Sequence, residues 1–365
     1  MSPSLRFPEF TGEWEKCVLG DYGKVVTGNT PPTKDIENYE NGTYLWASPA
    51  DLGTHKLISE TKTKLSSKGF TKTRPLSKGS VLVTCIGSTI GKTGMATREM
   101  STNQQINSIV VNENNDNEFV YYVVQSAFPH YLSSIAVQAV PIISKSSFEL
   151  LPSKRPSLQE QNKIGKFLSL LDERISTQHR LIDRLQSLMI GIAQKIAHSN
   201  KPNVRISDCL ECSSSALQES EVNKTGKYPV YGANGIVGYI DKYHTQNEAI
   251  YIIKDGSGVG GVSYVTGKCS STGTLNILQA KNGHSLKYLY YLLKVFNFVP
   301  YKTGMAIPHI YFKDYGKAKI FCPAYPEQLE YAKLLSSIDG NLRIALDSLK
   351  NFNLQKQYLL RHMLI

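Results

Sequence analysis

The sequence predicts an α+β protein of tandem design. A globular domain followed by a long helix occurs twice, and the two helices pair antiparallel as an intramolecular coiled coil with pseudo-twofold symmetry. Three observations carry this expectation. Two long stretches have apolar residues at 4-3 spacing, which is the seam of a coiled coil. A constant offset lays one stretch on the other. The two segments between them mix short apolar runs with Gly, Pro, Asn and Thr turns, and nearly the same offset relates them. The expected boundaries are residues 1–150 for the first globular domain, 151–200 for the first helix, 201–321 for the second domain and 322–365 for the second helix.

In chain order, the first domain holds the apolar runs Tyr44 to Trp46, Ser80 to Ile86, Ile106 to Val111 and Phe119 to Val124. The first helix opens at Pro156 with Ser157-x-x-Glu160, a capping box in which the serine and glutamate side chains satisfy orphan amides of the first turn. Its seam is Ile164, Leu168, Leu171, Ile175, Ile182, Leu185, Met189, Ile192 and Ile196, interrupted by Gln178, and a polar seam residue fixes register at a cost in stability. Asn200 and Pro202 end the pattern, and a second globular stretch runs to Phe321.

The second helix is the first displaced by 167: Pro156 falls on Pro323, Glu160-Gln161 on Glu327-Gln328, Asp172 on Asp339. Its seam is Tyr331, Leu335, Ile338, Leu342, Ala345, Leu349, Phe352, Leu359 and Met363, with Lys356 as the polar interruption. Two unrelated amphipathic core helices would not share a register in this way. The globular stretches repeat at 169, which carries Gly87-Ser88 onto Gly256-Ser257, Gly91 onto Gly260, Asn107 onto Asn276 and Tyr121-Tyr122 onto Tyr290-Tyr291. An offset of 167 carries Ala139-Val140-Pro141 onto Ala306-Ile307-Pro308, and Tyr44 to Leu52 aligns loosely with Tyr228 to Ile236.

Connectivity then dictates direction. The second domain joins the end of the first helix to the start of the second, so helices that pair along their seams must run antiparallel. About forty residues at 1.5 Å each predict a spacing of ~60 Å between the domains, a dumbbell.

A chain of 365 residues has room for two or three domains, and its net charge of +11 with a pI near 9.2 favours a polyanionic partner. No apolar run is long enough to span a membrane, and Met1 to Phe10 lacks the features of a signal peptide, so a soluble, cytoplasmic protein is expected. The six cysteines are scattered and suggest no disulfide framework. Cys209-x-x-Cys212 is a close pair, but a structural zinc needs four ligands and no second such pair accompanies it. The two are expected to be small apolar residues near a strand, with no metal.

Gly87-Ser-Thr-Ile-Gly91-Lys92-Thr93 is one residue short of a phosphate-binding loop, and the repeat has Gly261 where the lysine should be. Both copies read better as tight glycine turns that let backbone approach a ligand, such as a DNA phosphate. No paired His-Glu metal motif, nucleophile elbow, dinucleotide fingerprint or adenine-methyltransferase signature is found, and Asn29-Thr-Pro-Pro-Thr33 does not supply the last. A binding or scaffolding role without catalytic residues is therefore favoured. The polar inventory suits duplex reading: Asn103-Gln104-Gln105, Asn234, Ser271-Thr272, His309 and Lys313 accompany Trp46, Tyr231, Tyr243 and Tyr301. Asn and Gln can bond adenine bidentately, and Lys or Arg guanine, in the major groove. Ser48, Ser88, Lys92, Gly232 and Lys302 complete the candidate DNA-binding set with the paired turns at Gly87 and at Gly256-Ser257.

With these residues assembled, the chain closely resembles the DNA-specificity subunit of type I restriction-modification enzymes. The resemblance covers essentially the whole sequence. It rests most on the two Pro-x-x-x-Glu-Gln helix starts, on Leu5-Arg-Phe-Pro-Glu-Phe10, on Tyr228-Pro-Val-Tyr-Gly-Ala-Asn-Gly235 and on Ala306-Ile-Pro-His-Ile310. It implies two target-recognition domains, each reading one half of a bipartite double-stranded DNA site, with the helices setting the gap. It also implies docking of two methylation subunits on the helical region, around Leu171, Ile175, Ile182, Leu185, Met189, Ile338, Leu342, Leu349, Phe352 and Leu359. S-adenosylmethionine, ATP and Mg would belong to these and to the restriction subunits, and none to this chain. Trp46-Ala-Ser-Pro49 stands where the second domain has Val230-Tyr-Gly-Ala233, so the half-sites are expected to differ. Two other classes stay open at this point: a coiled-coil adaptor whose domains bind proteins or glycans, and an enzyme with an unfamiliar site.

Overall fold

The computed structural model describes residues 3–134, 141–198 and 201–364. Asn200 and the Ala139-Val140 part of the internal repeat lie outside the described residues. The chain divides into two compact units, one formed by residues up to Thr177 together with the stretch from Leu349, the other by Gln178–Ser348.

In the first unit, β1 (Glu15–Val18), β2 (Gly23–Thr27), β3 (Tyr44–Ala47), β4 (Leu57–Ile58), β5 (Thr63–Leu65), α1 (Ser67–Thr71), β6 (Val81–Thr84), β7 (Thr93–Ala96), β8 (Ser101–Thr102) and β9 (Ile106–Val111) precede α2 (Asn117–Ser134), α3 (Lys145–Glu149) and β10 (Pro152–Arg155). Among the described residues these strands form a sheet of order β2-β9-β6-β7-β4, a smaller one of order β5-β3-β8, and the antiparallel pair β1-β10. The long α4 (Leu158–His198) then leads out of this unit and into the next.

The second unit continues with β11 (Val204–Arg205), α5 (Ile206–Cys209), β12 (Leu210–Ser214), β13 (Tyr228–Gly232), β14 (Gly235–Ile240), β15 (Glu248–Ile253), β16 (Val262–Thr266), β17 (Ser270–Ser271), β18 (Leu275–Ala280), α6 (Leu286–Val295), α7 (Phe312–Tyr315) and β19 (Lys319–Ile320), and α8 (Tyr325–Leu364) closes the chain. Among the described residues its sheets repeat those of the first unit, with no counterpart of β4: β12-β18-β15-β16, β14-β13-β17 and β11-β19. The parallel pairing of Trp46 with Ser101 recurs as that of Val230 with Ser270, which makes the loose alignment of Tyr44 with Tyr228 a structural equivalence.

Helix α2 contains the run Phe119 to Val124, every member of which is buried. A helix apolar on all sides must be enclosed, and here the central sheet lies on one side and the α4–α8 pair on the other. In this unit Ile164, Leu168, Leu171 and Ile175 of α4 share a core with Phe352, Leu359 and Met363 of α8. The pairing is antiparallel: Asp172 meets the ammonium of Lys356 at 2.7 Å. In the second unit Ile182, Met189 and Ile196 are buried on α4, as are Leu335, Ile338, Leu342 and Ala345 on α8. The amide of Gln178 donates to the Ala345 carbonyl at 2.9 Å. Both polar seam residues thus hold a partner on the facing helix, which is how a polar seam position selects one register.

The Pro-x-x-x-Glu-Gln motif has a physical reason that its spacing does not show. Gln161 accepts from the Asp116 amide and donates to the Pro156 carbonyl, both at 3.1 Å. Gln328 accepts from the Ser285 amide and donates to the Pro323 carbonyl, both at 2.8 Å. Each glutamine fastens the start of a long helix to the turn that begins the preceding domain helix. The glutamates differ between copies. Ser157 caps α4 through the Glu160 amide at 3.4 Å, but the Glu160 carboxylate does not close the box; it is buried and held by Arg6 at 2.6 Å and by the Trp14 indole. Glu327 is exposed and accepts from the Tyr331 hydroxyl. The N-terminal Leu5-Arg-Phe segment is anchored as well by the Leu5 amide on the His362 carbonyl at 2.9 Å.

Candidate nucleic-acid interface

In the second unit one end of the sheet gathers most of the predicted residues through the backbone. The Thr272 amide donates to the Tyr231 carbonyl, Lys254 to Thr274, Ile310 to Lys254, and Gly256 to Pro308. Gly256 and Gly260 have φ near +94° and +91°, the left-handed region that glycine adopts without strain. Their amides are taken by the Pro308 and Ile253 carbonyls, so this turn is a structural corner that projects Ser257, not a cradle of free amides. Beside it, Thr303 and His309 exchange both backbone hydrogen bonds and close a hairpin whose tip, Met305 to Ile307, is exposed. The His309 ring sits 2.6 Å from the Asp255 carboxylate, which fixes its orientation. Asp255, adjacent to the glycine turn in sequence, was missed by sequence reasoning, as was Lys254; only their place before Gly256 could have signalled them.

Exposed around this region are Lys302, Lys313 and Asn234, the last at the tip of the β13–β14 hairpin. Lys313 lies over the Tyr311 ring at 5.4 Å, and Lys268 over Tyr243 at 4.9 Å. Tyr231 is half-buried against Tyr251, and desolvation pushes its hydroxyl above the ordinary range, so it acts as a neutral donor or acceptor.

The first unit repeats the corner. Gly87 and Gly91 have φ of +95° and +89°, and their amides go to the Pro141 and Thr84 carbonyls. Ser88, Lys92 and Gln104 are exposed, and Gln105 approaches Gly87. A side chain at Gly91 would meet Phe128 at 3.0 Å, and one at Gly260 would meet Phe298 at 3.1 Å, so close packing holds both turns.

Several predicted contacts need correction. Trp46 is buried with Leu65 and Phe70, and its indole donates to the Asn29 carbonyl. Ser271, Thr272 and Gly232 are buried, and the buried Asn103 folds its amide onto Gln105. The Ser48 hydroxyl is held by Asp51 at 2.7 Å, as a cap. These residues shape the surface from beneath instead of presenting groups to a base edge. The seam residues are likewise turned toward each other. What the helices offer outward is a different set, including Leu170, Leu354 and Tyr358 in the first unit and Leu181, Leu188, Ile344 and Leu346 in the second.

With this geometry in place, the comparisons with known proteins are specific. The model of the type I restriction modification DNA specificity domain matches residues 11–187 and 199–351. The MjaIX specificity subunit of Methanocaldococcus jannaschii is 27% identical over 186 residues, covering 49% of this chain and 43% of that protein. The HindI specificity subunit of Haemophilus influenzae is 27% identical over 188 residues, 48% of this chain and 40% of that one. The chain thus matches about two fifths of the length of these curated relatives. The crystal structure of a type I restriction-modification S subunit from M. genitalium superposes with a TM-score of 0.73 at 18% identity, covering 100% of this chain and 99% of the other. A structure from work on the assembly and conformational transition of the type I R-M system gives a TM-score of 0.56 at 16% identity, covering 95% and 96%.

Proposed function

We propose, because the chain belongs to the type I restriction modification DNA specificity family, that it is a non-catalytic subunit whose two domains each read one half of a bipartite, asymmetric DNA site. The observation that carries this is the repetition of one exposed corner in both units: a glycine turn, the extended segment beside it at Pro141 or Pro308, and the segment following β8 or β17, on a chain of net charge +11. The side chains on the corner differ between copies. Ser88, Lys92, Gln104 and Gln105 stand in one, and Ser257, Lys302 and His309 in the other, so the half-sites differ in sequence. The paired helices are the spacer, and α4 and α8, of 41 and 40 residues, set the gap by their length.

The exposed leucines and isoleucines on the outer faces of α4 and α8 support docking of methylation subunits there. Adenine methylation with S-adenosylmethionine, and ATP- and Mg-dependent DNA cleavage, then belong to the methylation and restriction subunits. Among the described residues no helix is long and apolar enough to cross a membrane.

The test is duplex binding by the chain assembled with its methylation subunits. Affinity for a specific duplex should fall steeply as salt is raised, since each neutralised phosphate releases counterions. Salt-independent binding, or equal affinity for every sequence, would refute the proposal. Leu188→Glu with Ile344→Glu should abolish assembly while leaving helicity intact.

A further inference from the structure

Cys209, His284 and Cys322 arise at three separate places in the second unit: the end of α5, the turn before α6, and the link from β19 to α8. The fold brings their ligand atoms within 4.8 Å of one another. Sequence spacing pairs Cys209 with Cys212, but Cys212 lies on β12 and its sulfur points to the Ser213 carbonyl. Both Cys209 and Cys322 are buried.

The backbone holds the three in place. Asn203 grips Cys322 through both amide atoms at 2.8 Å, the Lys281 amide donates to the Cys209 carbonyl at 2.9 Å, and the His284 amide closes a turn on the Lys281 carbonyl. A second observation is independent of this proximity. His284 Nδ1 is buried and has no hydrogen-bond partner among the described residues. A buried nitrogen without a partner is destabilising, and an imidazole grouped with two sulfurs is suited to a metal ion.

The first unit provides an internal control. Strand pairing of Val18 with Pro152, and of Arg205 with Lys319, sets Tyr22 at the place of Cys209 and Arg155 at that of Cys322, while the offset of 169 sets Asn115 at that of His284. There each equivalent side chain has a hydrogen-bond partner of its own: the Tyr22 hydroxyl donates to the Lys154 carbonyl at 3.0 Å, Asn115 donates to the Asn112 side chain at 2.8 Å, and Arg155 pairs with Glu15 at 3.1 Å. At the three equivalent positions the second unit has two thiols and an imidazole instead.

We propose that Cys209 Sγ, Cys322 Sγ and His284 Nδ1 bind one divalent zinc ion, with solvent in the fourth position. Two thiolates and an imidazole are the donor set that zinc prefers. Binding takes both thiol protons to solvent and needs His284 neutral with its remaining proton on Nε2, so uptake weakens in acid. Ser285 and Pro323, each one residue from a ligand, are the two groups that Gln328 bonds. The site therefore adjoins the joint between the second domain and the start of α8, and its open fourth position distinguishes it from a closed structural zinc.

The experiment uses the full chain, purified with a reductant that does not bind metal. Elemental analysis after dialysis against zinc should find one equivalent, and cobalt substitution should give thiolate charge-transfer absorption together with tetrahedral ligand-field bands. His284→Asn installs the side chain that the first unit tolerates, and Cys322→Ser removes a thiolate. Each should weaken uptake at least ~10-fold, the loss that even outer-sphere changes cause at such sites, with circular dichroism unchanged. Cys212→Ser should bind as the parent does. Less than stoichiometric uptake by the parent, unchanged uptake in His284→Asn, loss of uptake in Cys212→Ser, or a Cys209–Cys322 disulfide persisting under reductant would each overturn the proposal.

Discussion

Replacing Gln328 with alanine tests whether the helix-start motif is the joint described above. Gln328 is 2% exposed, so its bonds to the Ser285 amide and the Pro323 carbonyl are made away from bulk water. Truncation leaves the Ser285 amide without a partner in a buried position, which costs ~1–3 kcal/mol. The Pro323 carbonyl, half-buried, can recover a water and adds about 1 kcal/mol. The expected loss is about 2–4 kcal/mol, read from the midpoint of urea unfolding. Gln161→Ala should behave alike, because Gln161 is 1% exposed and bonds Asp116, Pro156 and Asn115. In DNA binding, Gln328→Ala should weaken contacts to the half-site read by the second domain and leave the other half unchanged. A stability change within about 0.5 kcal/mol, the range of an ordinary surface substitution, would refute the assignment of the motif as a joint.

Leu168→Ala removes a fully buried seam residue and should cost ~3–5 kcal/mol in urea unfolding, whereas a change under 1 kcal/mol would mean that the first-unit core is not packed as described. Leu185→Asp with Phe352→Asp should lower helicity and abolish assembly with methylation subunits together, monitored by circular dichroism and co-purification. Burial holds the Asp116 carboxyl above its usual range, with hydrogen bonds from the Phe119 and Glu118 amides opposing. Because the folded form then binds its proton more tightly than the unfolded form, stability falls as pH rises from the ordinary carboxylate range through the raised value. Asp116→Asn keeps the cap on Phe119 and should flatten the part of the stability profile that lies just above the ordinary carboxylate range; an unchanged slope would count against it. Asn234→Ala and His309→Ala should each relax base preference in one half-site only, measured with duplexes mutated one half at a time. Equal loss at both halves would refute two-module reading.

The tandem plan was legible because it is written locally and twice. Heptad spacing needs only side chains on one helix face, and the offsets linking Pro156 to Pro323 and Gly87 to Gly256 need no coordinates. Antiparallel pairing followed from connectivity alone. The strands at Tyr44, Val81 and Ile106 also stood out as apolar runs between turns. The similar run Phe119 to Val124 folds as helix instead, since a stretch enclosed on all sides shows neither period in its pattern.

The candidate interface was legible in outline and less so in its residues. Asn234, Lys302 and Lys313 are exposed where their loops lie, but Trp46 and Ser271 carry the same kinds of polar group and are buried. Composition does not distinguish a donor facing solvent from one facing a carbonyl. The sequence by itself determined the repeat, the two long helices and their direction, because these follow from spacing along one chain. Only the tertiary structure decided that Glu160 answers Arg6, that Gln328 clasps Ser285, and that Cys209 turns to His284 and Cys322 instead of Cys212. Those contacts join residues tens to more than a hundred positions apart, and the packing that brings them together leaves no mark on the residues nearby in sequence.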